Sequence, residues 1–216
     1  MNGKVVFVLT AIVVLVLGFN VQGARAQTII ENGGFEAGNT TGWNSYYNPT
    51  TVVTSVTIDG NLFEPQEGEY FSLMNPLGSG QAMLEQVFYL NAGDVLEGWA
   101  AFYCLDPTFN DYARMAMYNS GGIADQWYSS RLNGDSNTGW EFWSYSAPEA
   151  DTYRLRLHAA NGYSSDQSIR DTVPVYAMFD EIRVILNDNS NPVPEPATML
   201  LFGPALLGLL GFKKKN

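Results

Sequence analysis

The chain is poor in the residues that most often carry chemistry. Of its 216 residues, one is cysteine, one is histidine and four are lysine. A single cysteine, Cys104, excludes an internal disulfide, and its position deep in the chain excludes a lipid-accepting cysteine at the end of an export signal. It reads as a small buried hydrophobe in a strand, since a nucleophilic thiolate would need a neighbouring base and an electropositive setting. One histidine with one cysteine is too little for a zinc site. His158 lies in an alternating run with Arg154 and Arg156 and reads as a surface strand residue; no G-x-S-x-G elbow supplies a serine nucleophile to go with it.

The lysines are confined to the ends, at Lys4, Lys213, Lys214 and Lys215. Between residues 27 and 192 the only bases are six arginines, set against 21 acids, for a formal charge of −15. Such a surface repels phosphate backbones, so nucleic acid is excluded as a partner. No long stretch repeats with a helical period either.

What is present begins with two processing segments. Lys4, the apolar run Val5–Leu17 and Ala24-Arg25-Ala26 form a secretory signal peptide over residues 1–26, with signal peptidase as the expected partner. At the other end, residues 193–216 combine Pro194-Glu195-Pro196, an apolar run from Met199 to Phe212 and the cluster Lys213, Lys214, Lys215. As a helix, those 14 apolar residues span about 21 Å, short of a ~30 Å hydrocarbon core, and snorkelling lysines extend the segment to a marginal span. The lysines fix their own end on the cytoplasmic side, leaving the body of the chain outside.

Residues 27–186 read as one all-β domain, followed by a polar linker over 187–192. Short alternating runs punctuated by Gly, Asn, Asp and Pro predict strands at 28–30, 50–58, 69–74, 81–90, 95–104, 113–118, 125–131, 140–146, 152–159 and 175–186. Val95–Cys104 is the most apolar and should be central. In Thr152–Ala159, Tyr153, Leu155 and Leu157 should face inward, with Arg154, Arg156 and His158 outward. The fold expected is a single β-sandwich or jelly roll, flanked by an N-terminal signal helix and a short C-terminal hydrophobic helix.

The ordered pieces NGGFEAGNTTGW, EGEYFSLMN, LEQVFYL, VLEGWAAFYC, WEFWSYSAPEADTYRLRLHAAN and AMFDEIRVIL resemble the galactose-binding-like jelly roll and, within it, the carbohydrate-binding modules. The fold hosts sugar binders, protein binders and structural modules alike. The resemblance implies a structural Ca²⁺ tying the first strand to the last, held by Glu36 and by Asp180 or Glu181. A sugar surface would need exposed aromatic platforms. Trp43, Tyr46, Tyr47, Trp127, Tyr128, Trp140 and Trp143 supply the material, with Tyr46-Tyr47 and Trp127-Tyr128 preferred; within a strand only one of each adjacent pair can share a given face.

The tail, through Val193, Pro194, Glu195, Pro196, Ala197, the apolar run and the lysines, is similar to the PEP-CTERM sorting signal of Gram-negative bacteria. That resemblance implies processing by the membrane protease-transpeptidase exosortase, an inner-membrane intermediate, and a final place at the cell surface or in an exopolysaccharide matrix. The expected function is therefore a non-enzymatic exported surface protein that binds exopolysaccharide. The alternatives are a structural or adhesive matrix protein without a sugar site and, more distantly, a secreted glycoside hydrolase, for which 21 acids offer many carboxylate pairs but no distinctive one.

Overall fold

Alternation along ten-residue runs forces each strand to bury one face, and the chain meets that requirement with two five-stranded antiparallel sheets. The computed structural model describes residues 30–76, 80–105, 110–162 and 173–187. They fall within the unit Gln27–Asn191. The strands are β1 (Asn44–Tyr47), β2 (Thr51–Val53), β3 (Val56–Ile58), β4 (Asn61–Phe63), β5 (Phe71–Met74), β6 (Gln81–Leu90), β7 (Val95–Cys104), β8 (Tyr112–Asn119), β9 (Gly122–Ser130), β10 (Asn137–Ser146), β11 (Asp151–Ala160) and β12 (Val175–Ile185). One sheet runs β1-β6-β11-β8-β9, the other β10-β7-β12-β5-β2, and β3-β4 is a separate hairpin.

The core lies between the two large sheets. Leu84, Phe88 and Leu90 of β6, Met115 and Met117 of β8 and Tyr153, Leu155 and Leu157 of β11 face Leu96, Ala100 and Phe102 of β7 and Ala177 and Phe179 of β12. Val95–Cys104 takes the predicted central place, between β10 and β12. Cys104 is buried in this core, with its thiol donating to Asp111 Oδ2 at 2.9 Å.

The predicted strand over 50–58 is two strands. Thr51–Val53 pairs with β5, whereas Val56–Ile58 turns back on β4 through Asp59-Gly60, both at positive φ (48° and 80°). This is the two-residue hairpin turn that Asp-Gly favours. The hairpin forms a second apolar cluster on the outside of the β7-β12-β5 sheet, in which Ile58 and Phe63 meet Phe71, Ala101, Tyr103 and Met178. The predicted strand at 28–30 lies almost wholly outside the described residues.

β12 keeps its pairing with β7 through a bulge between Asp180 and Arg183, with Glu181 at φ 50°. The bulge turns both Asp180 and Ile182 into the protein. Gly33 accepts the Ile182 N–H at 3.1 Å through its carbonyl, and a Cβ on Gly33 would collide with the Ile182 carbonyl oxygen, so glycine is required at this crossing of entry and exit segments. Among the described residues no helix is long and apolar enough to cross a membrane; the expected membrane segment, Met199 to Phe212, lies outside them.

Candidate functional site

Pairing of β1, β6, β11, β8 and β9 places outward side chains in lateral rows. One row reads Tyr46, Met83, His158, Arg114, Tyr128 from edge to edge. Beside it on one side lie Ala160 and Tyr112, and on the other Asn44, Glu85, Arg156, Ala116 and Gln126. A further row holds Val87, Arg154, Tyr118 and Ile123. Tyr46, Tyr128, Val87 and Ile123 are all exposed. Met83, Glu85 and His158, although turned away from the core, are buried. Neighbouring long side chains therefore cover a floor over the central strands, while the aromatic groups at the edges stand in solvent.

His158 corrects the expectation of a surface histidine. Alternation did place it on the outer face, but β11 sits mid-sheet between β6 and β8, and the residue is only 4% exposed. Its ring meets Tyr112 edge-on at 5.3 Å, and its Nε2 lies 3.1 Å from Gln81 Oε1. Nδ1 is buried with no hydrogen-bond partner among the described residues. Burial, followed by the charges of Arg114 and Arg156, lowers its pKa to about 4, so the imidazole is neutral near pH 7.

The cations of this face differ in their partners. Arg156 donates through Nε to Glu85 Oε2 at 2.7 Å, Arg154 approaches the same oxygen at 3.5 Å, and the Arg156 guanidinium lies 4.7 Å from the centre of the Tyr118 ring. Arg114 has no ion pair among the described residues. Its Nε is buried with no hydrogen-bond partner among the described residues, and its guanidinium carbon lies 5.8 Å from the centre of the Tyr112 ring. Tyr112 in turn stands 5.7 Å from Tyr128. Burial raises the Tyr112 pKa, a push that Arg114 opposes and the phenols of Tyr128, Tyr118 and Tyr47 reinforce. At the far end, a depression of about 370 Å³ is lined by Val87, Tyr118, Asn119, Ser120 and residues 151–154.

Of the preferred aromatic candidates, Tyr46, Tyr47 and Tyr128 are exposed at 42%, 71% and 39%. Trp127 is not available as a platform. It points into the core, edge-on to Phe179 at 6.4 Å, and donates through Nε1 to Glu141 Oε2 at 2.6 Å. Trp127→Ala is accordingly expected to cost about 3–5 kcal/mol of stability, read as a lowered denaturant midpoint, rather than to remove a ligand contact selectively. Trp43 and Trp143 are core residues too, and Trp140 packs edge-on against Phe71. Tyr112, Arg114, Tyr118 and His158 belong with the exposed tyrosines, a grouping created by strand pairing that no local run reveals.

The three carboxylates expected to hold calcium have other partners. Glu36 accepts the N–H groups of Glu69 and Tyr70 at 3.0–3.2 Å, and Asp180 accepts those of Gln66 at 2.7 Å and Glu67 at 3.3 Å. Together they clamp the 66–70 loop, which turns at Gly68 (φ 72°) so close to Glu36 that a Cβ there would strike the carboxylate. Glu181 pairs with Arg183, which also meets Glu67 and Glu97. Among the described residues, no three His, Cys, Asp or Glu side chains gather where one ion could hold them.

No curated protein matches the chain by sequence. Residues 192–215 match the PEP-CTERM protein-sorting motif. The motif indicates an exported protein with a C-terminal membrane anchor that is processed. Its residues Val193, Pro194, Glu195 and Pro196, and the basic end Lys213, Lys214 and Lys215, lie outside the described part of the structure. Solved structures similar to the sandwich include TmCBM61 in complex with β-1,4-galactotriose, with 15% identity, 73% of this chain and 97% of that one covered, and a TM-score of 0.47. Another is the K1 cleaved adhesin domain of Lys-gingipain from Porphyromonas gingivalis W83, at 14% identity, 74% and 98% coverage, and a TM-score of 0.46. A third is a family 16 carbohydrate-binding module, at 20% identity, 72% and 98% coverage, and a TM-score of 0.42.

Proposed function

We propose that this chain is a non-enzymatic protein of the cell surface or extracellular matrix of a Gram-negative bacterium, delivered by exosortase-type sorting, that binds polysaccharide on the outer face of the β1-β6-β11-β8-β9 sheet. The observation that carries the binding part is the row from Tyr46 to Tyr128: exposed rings at both edges with His158 and Arg114 between them. Tyrosine rings offer flat apolar faces to pyranose C–H groups, while guanidinium, imidazole and phenol groups hydrogen-bond hydroxyls. The sorting motif supports delivery to the outside, where such a ligand is found. Calcium at Glu36 and Asp180, which the resemblance implies, is not needed for this reading, because the proposed face lies on the β1-β6-β11-β8-β9 sheet and Asp180 on β12 of the other.

Removing the rings tests the site. Each stacking contact is worth about 1 kcal/mol, so the double variant Tyr46→Ala/Tyr128→Ala is expected to weaken binding to a retained polysaccharide tenfold or more in affinity gel electrophoresis. The melting midpoint should stay close to that of the parent, since both side chains stand in solvent. A parent chain that is retarded by no neutral or acidic polysaccharide would favour the alternative, a structural or adhesive matrix protein without a sugar site.

A further inference from the structure

We infer that the polysaccharide taken by this face is acidic, with the Arg114 guanidinium pairing a sugar-ring carboxylate while Tyr128, Tyr112 and Tyr46 contact the ring faces. The inference rests on the binding reading above and narrows it to a ligand class. Residues 27–192 carry 21 acids against six arginines, so an arginine there is surrounded by potential counter-ions. Arg183 gathers three of them, and Arg154 and Arg156 share Glu85. Arg114, half-buried in the middle of the sheet, has none among the described residues.

The surrounding face has the charge to match. Its rows hold three guanidiniums and one carboxylate, Glu85, which is buried and held by Arg156. That leaves two positive charges in surplus on one face of a strongly negative domain. Asp151 lines the far end of the depression beyond Arg154. The low pKa of His158, caused after burial by Arg114 and Arg156, reports the same positive field from within. A neutral glycan would leave the Arg114 charge without a counter-ion among the described residues. A carboxylate matches the fork of a guanidinium, and a charge-assisted pair is about twice as strong as a neutral hydrogen bond.

The test uses the full chain in detergent micelles at about 0.15 M salt, where charges more than ~8 Å apart are largely screened and the long-range repulsion by the acidic domain is reduced. The probes are polygalacturonate, the same polymer after carboxyl reduction, and dextran sulfate. Polygalacturonate is expected to bind at least tenfold more tightly than its reduced form. Arg114→Gln should remove most of that preference and Arg114→Lys should restore part of it; Arg154→Gln, at the exposed rim, should weaken acid binding about threefold and serves if the Arg114 variants fold poorly. Equal binding of the acidic and reduced polymers would overturn the acidic ligand and leave the polysaccharide site standing. Binding of dextran sulfate as tight as that of polygalacturonate would also overturn it, in favour of general polyanion attraction. A preference that survives in folded Arg114→Gln would refute the assigned pairing; if the Arg114 variants do not fold, acid binding left unweakened by Arg154→Gln would refute the positively charged face on which that pairing rests. Failure to bind any of the three polymers would overturn both this inference and the site.

Discussion

Asp180→Ala is expected to lower the melting midpoint by about 10 °C, on the basis of about 3–5 kcal/mol lost from a domain of this size. The side chain is fully buried and accepts from three backbone N–H groups, those of Gln66, Glu67 and Glu181. Alanine leaves those donors without an acceptor, frees the loop from the β12 bulge and opens a small void. Asp180→Asn keeps an oxygen for the Gln66 N–H and should cost much less. The contrast separates the clamp from mere volume.

The pH dependence sharpens the same test. Burial raises the Asp180 pKa from 3.8 to about 6, against the pull of the three N–H donors and with a further push from Glu36. The folded state thus holds this proton more tightly than the unfolded chain, so the stabilisation is complete below about pH 4 and is lost as pH rises through 6. His158 runs the other way. Its pKa falls from 6.5 to about 4, so its contribution is complete above pH 6.5 and is lost as pH falls through 4. Each amounts to at most about 3 kcal/mol, and over the shared window they oppose each other. Urea melts of the parent between pH 4 and 6.5 should therefore show little net slope from this pair. Asp180→Asn should expose the histidine, with stability rising with pH relative to the parent, and His158→Gln should expose the aspartate, with stability falling. Two variants with parallel profiles would mean that neither group carries the shift.

The strands were legible because a half-buried sheet writes its two faces into a period of two. Tyr153, Leu155 and Leu157 against Arg154, Arg156 and His158 predict the facing of β11 correctly. Period two reports which way a side chain points, however, and not how deep it lies. His158 and Glu85 both face outward and are buried, because the strands on either side carry long side chains that close over them. The same limit explains Trp127. Its adjacency to Tyr128 showed that only one of the two could reach a shared face, but which one was decided by pairing with β8, where Met115 lies opposite Trp127 and Arg114 opposite Tyr128. The hairpin that follows the 50–58 run was readable in principle, since Asp59-Gly60 comes directly after it; the break inside the run, at Thr54-Ser55, was masked by the β-branched residues on either side. The proposed binding face joins residues from five strands, and its composition depends on a strand order that no local pattern encodes.

Changing Pro194-Glu195-Pro196 to three alanines should have the largest effect on where the protein goes, with none on the fold of the sandwich. The two prolines predict an extended segment, since each fixes its own φ, removes a donor and biases the residue before it away from the helical region. An extended stretch is what a protease groove accepts through main-chain contacts. As a helix the apolar run that follows would be about 9 Å short of a bilayer core, so a tail inserted in the membrane is expected to hold the motif close to the outer interface, with Lys213, Lys214 and Lys215 at the inner side. In a host with an exosortase, intact-mass measurement of the parent protein should therefore find a C-terminus upstream of the apolar run and most of the protein outside the inner-membrane fraction. The alanine variant should keep a mass that includes residues 199–216 and sediment with inner membrane, although its sandwich melts as the parent does. A parent protein that still ends at Asn216 would contradict processing at the motif. An alanine variant that is trimmed and released like the parent would show that the apolar segment and the lysines suffice, and that the proline-flanked glutamate is not what the enzyme reads.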